Sequence, residues 1–183
     1  MFQGFLPIYK PVGLRSSTCV EKMKRMLGNK IKVGHGGTLD SSAEGVLVIL
    51  LGFSTRFSGY VMQMPKIYSA VLKLGSETTT CDYTGDVTAT GDAHNIRESD
   101  IDSVIPRFLG WRMQMPPEIS AIHVKGRRAH EIRRAGGTPD LSTRPVFIKS
   151  VRREGPVSPE GELSLTVNCG KGVYVRAIAR DMG

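Results

Sequence analysis

The sequence offers little from which to build a cross-linked or membrane-embedded protein. Its three cysteines, Cys19, Cys81 and Cys169, are widely separated and include no Cys-x-x-Cys pair, which argues against a disulfide framework and a zinc site. They read as reduced, mostly buried thiols. The longest unbroken aliphatic run, Val46 to Leu51, is far short of the roughly 20 apolar residues that cross a bilayer, so no membrane partner is expected. Residues 1–6 show no basic stretch, long apolar core or small-residue cleavage pattern, so no secretory signal is expected. A cytoplasmic protein is the expectation. No fixed-period repeat or low-complexity segment is present, which excludes solenoids and compositional tails.

What is present is ordinary globular composition: 183 residues, 40% hydrophobic and 23% charged, with no clear linker. One domain spanning residues 1–183 is the expectation. The 25 Lys and Arg against 17 Asp and Glu give a formal charge of +8. Such an excess favours a polyanionic partner, because each phosphate neutralised releases a condensed counterion; a solubilising surface charge reads equally well.

Residues 4–9 read as a strand closed by the turn Lys10-Pro11-Val12-Gly13. The spacing of Val20, Met23 and Leu27 predicts a helix capped by Ser16 or Ser17 and stopped at Gly28, with Lys22, Lys24 and Arg25 on its solvent side. A glycine-rich loop, Gly34 to Asp40, leads into the apolar run to Leu51. A helix is expected from Ser54 with Phe57, Tyr60, Val61 and Met64 on its apolar face. Residues 68–74 read as a strand and 75–91 as hairpin and loop. Residues 96–108 read as a helix shortened or kinked by Pro106, with Ser99 and Asp102 as a capping box. An extended stretch, Met113 to Val124, is interrupted by Pro116-Pro117. A short basic helix (128–135) and two strands (145–152 and 162–169) follow. Strands and helices without a βαβ rhythm predict an α+β fold around a mixed, mostly antiparallel sheet with flanking helices.

By itself the loop Gly34-His35-Gly36-Gly37-Thr38-Leu39-Asp40 is ambiguous. It is neither a phosphate-binding P-loop nor a dinucleotide fingerprint, and Asp40 suits a helix N-cap or a turn equally. However, Val33 to Asp40, followed by Ala43, Gly45 and Leu47, resembles the catalytic loop of the TruB family of tRNA pseudouridine synthases. Four further segments agree in order: Tyr9-Lys-Pro-Val-Gly13 with Ser16-Ser17; Lys66-Ile-Tyr68-Ser-Ala70 leading to Thr78-Thr-Thr-Cys-Asp82 and Gly85; Gln114-Met-Pro-Pro-Glu-Ile-Ser-Ala121; and Gly172-Val-Tyr174-Val-Arg176.

The resemblance implies a pseudouridine synthase-like catalytic domain acting on tRNA, at uridine 55 of the T arm, with no cofactor or metal and no obligate protein partner. It implies Asp40 as the ionised carboxylate that starts the reaction, Arg176 as the cation paired with it, and Tyr68 as the ring that stacks on the base and removes the C5 proton. His35 is implied in supporting the gap left by the extruded base, Asp82 in a polar contact near it, and Tyr174 in packing against Tyr68 or the base. Lys24 and Arg25, with Lys22, Lys30 and Lys32, and a second cluster, Arg127, Arg128, Arg133 and Arg134, suit phosphate contacts or a solvated face. An RNA-folding module without turnover and the box H/ACA guide-RNA branch are the rival readings. Ser41 stands where the family has Pro, which loosens the turn. His123 and His130 stand where the family more often has Lys and Tyr. The resemblance implies that the family's catalytic domain continues beyond Gly183 and that many members carry a further PUA-type domain. The expectation is a partial domain in which apolar surface near Val175 and Ile178 is uncovered and Arg176 is loosely held.

Overall fold

A computed structural model describes residues 2–93 and 95–183; Met1, part of the N-terminal stretch read above, lies outside them. The chain forms two compact units that divide after Met64.

The first unit is built on β1 (Gly4–Lys10), α1 (Ser16–Met26), β2 (Val33–His35), β3 (Gly45–Leu51) and α2 (Ser58–Gln63). β3 is the central strand, antiparallel to both β1 and β2. Leu47 and Ile49 of β3, two residues apart, share a face and are buried with Val33 and Cys19, whereas Val46 beside Leu47 is exposed. Val20 and Met23 of α1, with Leu27 at its C-cap, close this core. α1 ends in a Schellman turn: Asn29 donates to the Lys24 carbonyl at 2.9 Å and Gly28 to that of Arg25 at 3.0 Å. Gly28 takes a positive φ of 66° there, which is the stop its position predicts.

Three local expectations change in this unit. Ser16 is the first helical residue and buried rather than a cap; the N-cap is Arg15 without a side-chain bond. The first two residues of the glycine-rich loop, Gly34 and His35, continue a strand from Val33, because pairing with β3 overrides what the glycine content suggests. The helix from Ser54 is a 3-10 stretch (Gly52–Phe57) before the short α2, and Phe57, Tyr60 and Met64, expected on an apolar face, are exposed.

The second unit contains β4 (Lys66–Lys73), β5 (Ser76–Thr78), β6 (Val87–Thr90), α3 (Glu98–Val104), β7 (Gly110–Gln114), β8 (His123–Val124), β9 (Arg127–Arg128), α4 (Ala129–Arg134), β10 (Arg144–Arg153), β11 (Glu162–Cys169) and α5 (Val175–Met182). Its main sheet runs β4-β11-β10-β7, with two small hairpins, β5-β6 and β8-β9, beside it. Every strand pairing among the described residues is antiparallel, and the fold is α+β. Leu163, Leu165, Val167 and Cys169 of β11 alternate inward and meet Leu72, Ile101, Phe108, Ile148 and Ile178 in one core.

The capping box of α3 lies two residues earlier than expected. Asp100 accepts the Arg97 N–H at 3.0 Å, while Asp102 pairs with Arg153 of β10 at 3.0 Å. The chain between β7 and β8 is irregular, with both prolines buried. The expected bareness of α5 is not found: Ile178 is buried and Val175 half-buried, since α5 seats on the core of the main sheet.

Candidate active site

The Asp40 loop is fastened by the segment that precedes α1. Lys10 ends β1, and its side chain is wholly buried. Its Nζ donates to the carbonyls of Pro11 at 2.9 Å, Leu14 at 2.8 Å and Ala43 at 2.6 Å, which uses all three donors of an ammonium. Burial pushes the Lys10 pKa down, against opposing pulls from Cys19, Asp40 and Glu44. Ser16 Oγ donates to the Leu39 carbonyl and accepts the Leu39 N–H, each at 3.0 Å. The Gly13 N–H reaches the Ser41 carbonyl at 2.8 Å, and Ala43 N–H closes a turn on the Asp40 carbonyl at 3.2 Å. The turn that Ser41 was expected to loosen is therefore closed by backbone bonds. Of the two local alternatives for Asp40, the turn is realised; no helix follows it. Tyr9 adds an outer tie, its hydroxyl donating to Glu44 at 2.5 Å.

Asp40 is half-buried in this setting. His35 lies on β2 opposite Ile49, half-buried, with a buried Nδ1 that no hydrogen bond satisfies. Between them Gly36 bonds to the Val48 carbonyl at 2.8 Å. A Cβ on Gly36 would sit 2.3 Å from Val61 Cγ1, so only glycine lets the loop pass α2 at this distance.

In the second unit Arg176 is held firmly, contrary to expectation. Its side chain is 13% exposed. Nη1 donates to the Thr80 carbonyl at 2.6 Å and Nη2 to the Ile119 carbonyl at 3.1 Å, while Nε lies 3.7 Å from Asp82 Oδ2. Asp82 is itself oriented: Oδ1 accepts from Thr80 Oγ1 at 2.6 Å, Thr84 Oγ1 at 2.5 Å and the Thr84 N–H at 3.0 Å. A guanidinium beside an ordered carboxylate, both side chains mostly buried, holds each group in a fixed direction. Tyr68 lies half-buried on β4 opposite Val167 and packs on the main core. Tyr174 is the N-cap residue of α5. Within this unit the fold thus brings Arg176 and Asp82 together, with Tyr174 two residues before the arginine.

Lys24 and Arg25 lie exposed in the last turn of α1, with Lys22, Lys30 and Lys32 also exposed. In the second cluster Arg133 pairs with Glu118 at 2.9 Å. Among the described residues no group of three His, Cys, Asp or Glu could hold a metal, and no helix is long and apolar enough to cross a membrane. Two structurally central residues, Lys10 and Gln114, stand in the sequence only as a turn residue and a motif letter. Their burial has no signal in composition, because lysine and glutamine ordinarily sit outside.

Residues 24–175 match the profile of the TruB family pseudouridylate synthase N-terminal domain. Among curated proteins, tRNA pseudouridine synthase B of Staphylococcus epidermidis is 42% identical over all of this chain and 61% of its own length. The protein of the same name from Synechococcus sp. (strain CC9311) is 42% identical over 98% of this chain and 60% of its own. The chain thus spans about 60% of the length of these curated relatives. Among solved structures, one from a Cbf5-Nop10-Gar1 complex superposes with a TM-score of 0.70 at 26% identity, over 98% of this chain and 43% of that one. With five motifs in order, an aspartate loop clasped by another of them and a profile match across most of its length, the chain belongs to the TruB family of pseudouridine synthases.

Proposed function

We propose that this chain isomerises uridine to pseudouridine in tRNA, at uridine 55 of the T arm. The observation that carries the reading is the Asp40 loop, whose backbone is fixed by Lys10, Gly13 and Ser16 while the carboxylate itself is left half-buried. A loop built only as a connection would not need a buried ammonium to hold it.

The reaction breaks the N1–C1′ bond and makes a C5–C1′ bond on the same base; C5 gives up a proton and N1 gains one, so atoms and electrons balance without a cofactor. Asp40 supplies the nucleophilic carboxylate. Tyr68 stacks on the base and takes the C5 proton. Arg176, ordered by Asp82, supplies the positive charge that the resemblance assigns to the aspartate. A base inside a folded arm must leave its stack to react, and His35 supports the gap. Asp82 gives the base a polar contact and Tyr174 packs beside it. Lys24 and Arg25 meet phosphates, which position RNA without reading it. Residues 1–183 act as one catalytic domain in the cytoplasm, without an obligate protein partner.

The test is incubation with a T-arm stem-loop and mapping of pseudouridine at single-nucleotide resolution. Product at the position of uridine 55 supports the reading. Binding without product would favour an RNA-folding module instead.

A further inference from the structure

The segment Gln114 to Ser120 bears a motif to which the proposed chemistry assigns no role. We propose that Gln114 is a positioning residue for Arg176, a reading that rests on the function proposed above. Gln114 ends β7 and is 1% exposed. Its Oε1 accepts the Tyr174 N–H at 2.9 Å and its Nε2 donates to the Tyr174 carbonyl at 3.2 Å. Only this orientation of the amide pairs donor with acceptor on both sides, so the side chain imitates one rung of a strand ladder. The Tyr174 carbonyl is also where the helical ladder of α5 begins, accepting the N–H groups of Ala177 at 3.1 Å and Ile178 at 3.2 Å. Gln114 therefore fixes the first turn of α5, and Arg176 is the second residue of that turn.

The same segment is tied to α5 at two more points. Arg180, one turn beyond Arg176, donates from Nη2 to the Met115 carbonyl at 2.9 Å, and Arg176 donates to the Ile119 carbonyl. Buried Pro116 and Pro117 stiffen the chain between these carbonyls. α5 has no side-chain N-cap; the glutamine amide, 60 residues away in sequence, does the anchoring.

The test is Gln114→Met, which keeps approximate length and volume and removes both hydrogen bonds. Three quantities are read: the single-turnover rate at saturating T-arm stem-loop, the Kd for that RNA, and the Arg176 Nε–H resonance by NMR. A misplacement of about 1 Å can cost about a hundredfold in rate. The expected result is a rate lowered at least about tenfold, a Kd within about twofold of wild type and a displaced Arg176 resonance. A merely structural loss would change the folded fraction but not this split. An unchanged rate with an unmoved resonance overturns the proposal, as does a loss confined to Kd. Should Gln114→Met not fold, Arg180→Met cuts the Met115 tie from a less buried position; it is expected to lower the rate less, again without change in Kd, and an unmoved Arg176 resonance in it overturns the proposal. If wild type makes no pseudouridine, the proposed function fails, and the Arg176 resonance in the two variants still decides whether this segment positions the arginine.

Discussion

The loop around Asp40 is fastened by backbone groups gathered onto one buried ammonium and one hydroxyl, all drawn from residues 10 to 43. Arg176 is fastened instead by several separate ties, to Thr80, Asp82 and Ile119 directly and to Gln114 through Tyr174. The first arrangement concentrates its hold in single residues. The second distributes it over elements far apart in sequence. Concentrated holding should fail all at once when its centre is removed, and distributed holding should weaken in steps.

The largest expected effect is therefore at Lys10. Replacing it with Met leaves three carbonyls without their donor, each costing about 1–3 kcal/mol if it stays buried, so the first unit should lose about 3 kcal/mol or more. Urea unfolding followed by Phe and Tyr signals of residues 2–64 would measure it. A loss near zero would show that the ammonium is replaceable by water and that the hold is not concentrated there.

Gly36→Ala should cost about 1–3 kcal/mol, because the new methyl meets the stiff Val61 side chain. Val61→Ala in the same chain should recover part of this loss. Additive losses in a double-mutant cycle would mean that the approach of loop and α2 is not what fixes the loop.

pH separates the two units by sign. Burial pushes the Cys169 thiol of the second unit up to about 11 from 9.0. With the folded value raised, its contribution is fully present below about pH 9 and is lost as pH rises towards 11. Lys10 of the first unit runs the other way: its folded pKa is lowered, so this group contributes more as pH rises towards the ordinary lysine value. Unfolding midpoints at pH 8 and pH 10 should show a smaller alkaline loss for Cys169→Ala than for wild type. An identical loss in both would remove Cys169 from the account.

The smallest effect is expected on α1, whose basic face makes no hold at all. Lys24→Glu with Arg25→Glu should leave stability nearly unchanged, weaken RNA binding and reduce the salt slope by about 2. An unaltered slope would return both to a solvated face.

Much of this frame was readable before any coordinates. Leu163, Leu165 and Val167 announce β11 by alternation, and Val20, Met23 and Leu27 announce α1 by helical spacing, because burial on one face imposes those periods. Val33 to His35 was not readable as a strand, since its glycine hides a pairing that only β3 supplies. Phe57 misled because it lies in a 3-10 turn, which places it differently from an α-helix. In the site, Asp40 and Arg176 stood out as motif residues. Their supports did not: a lysine wholly buried at Lys10 runs against its ordinary place at the surface, and the bond from Gln114 to Tyr174 spans 60 residues, beyond any local spacing rule.

The central claim is that the clasped loop exists to present the Asp40 carboxylate to a uridine. Its most direct test is Asp40→Asn, assayed by single-turnover pseudouridine formation on a T-arm stem-loop alongside RNA affinity. The amide has nearly the same size and is a poor nucleophile, so product should fall by about a thousandfold or more while Kd stays within about twofold. Turnover within about tenfold of wild type would contradict the claim and leave the clasp without the purpose given to it here.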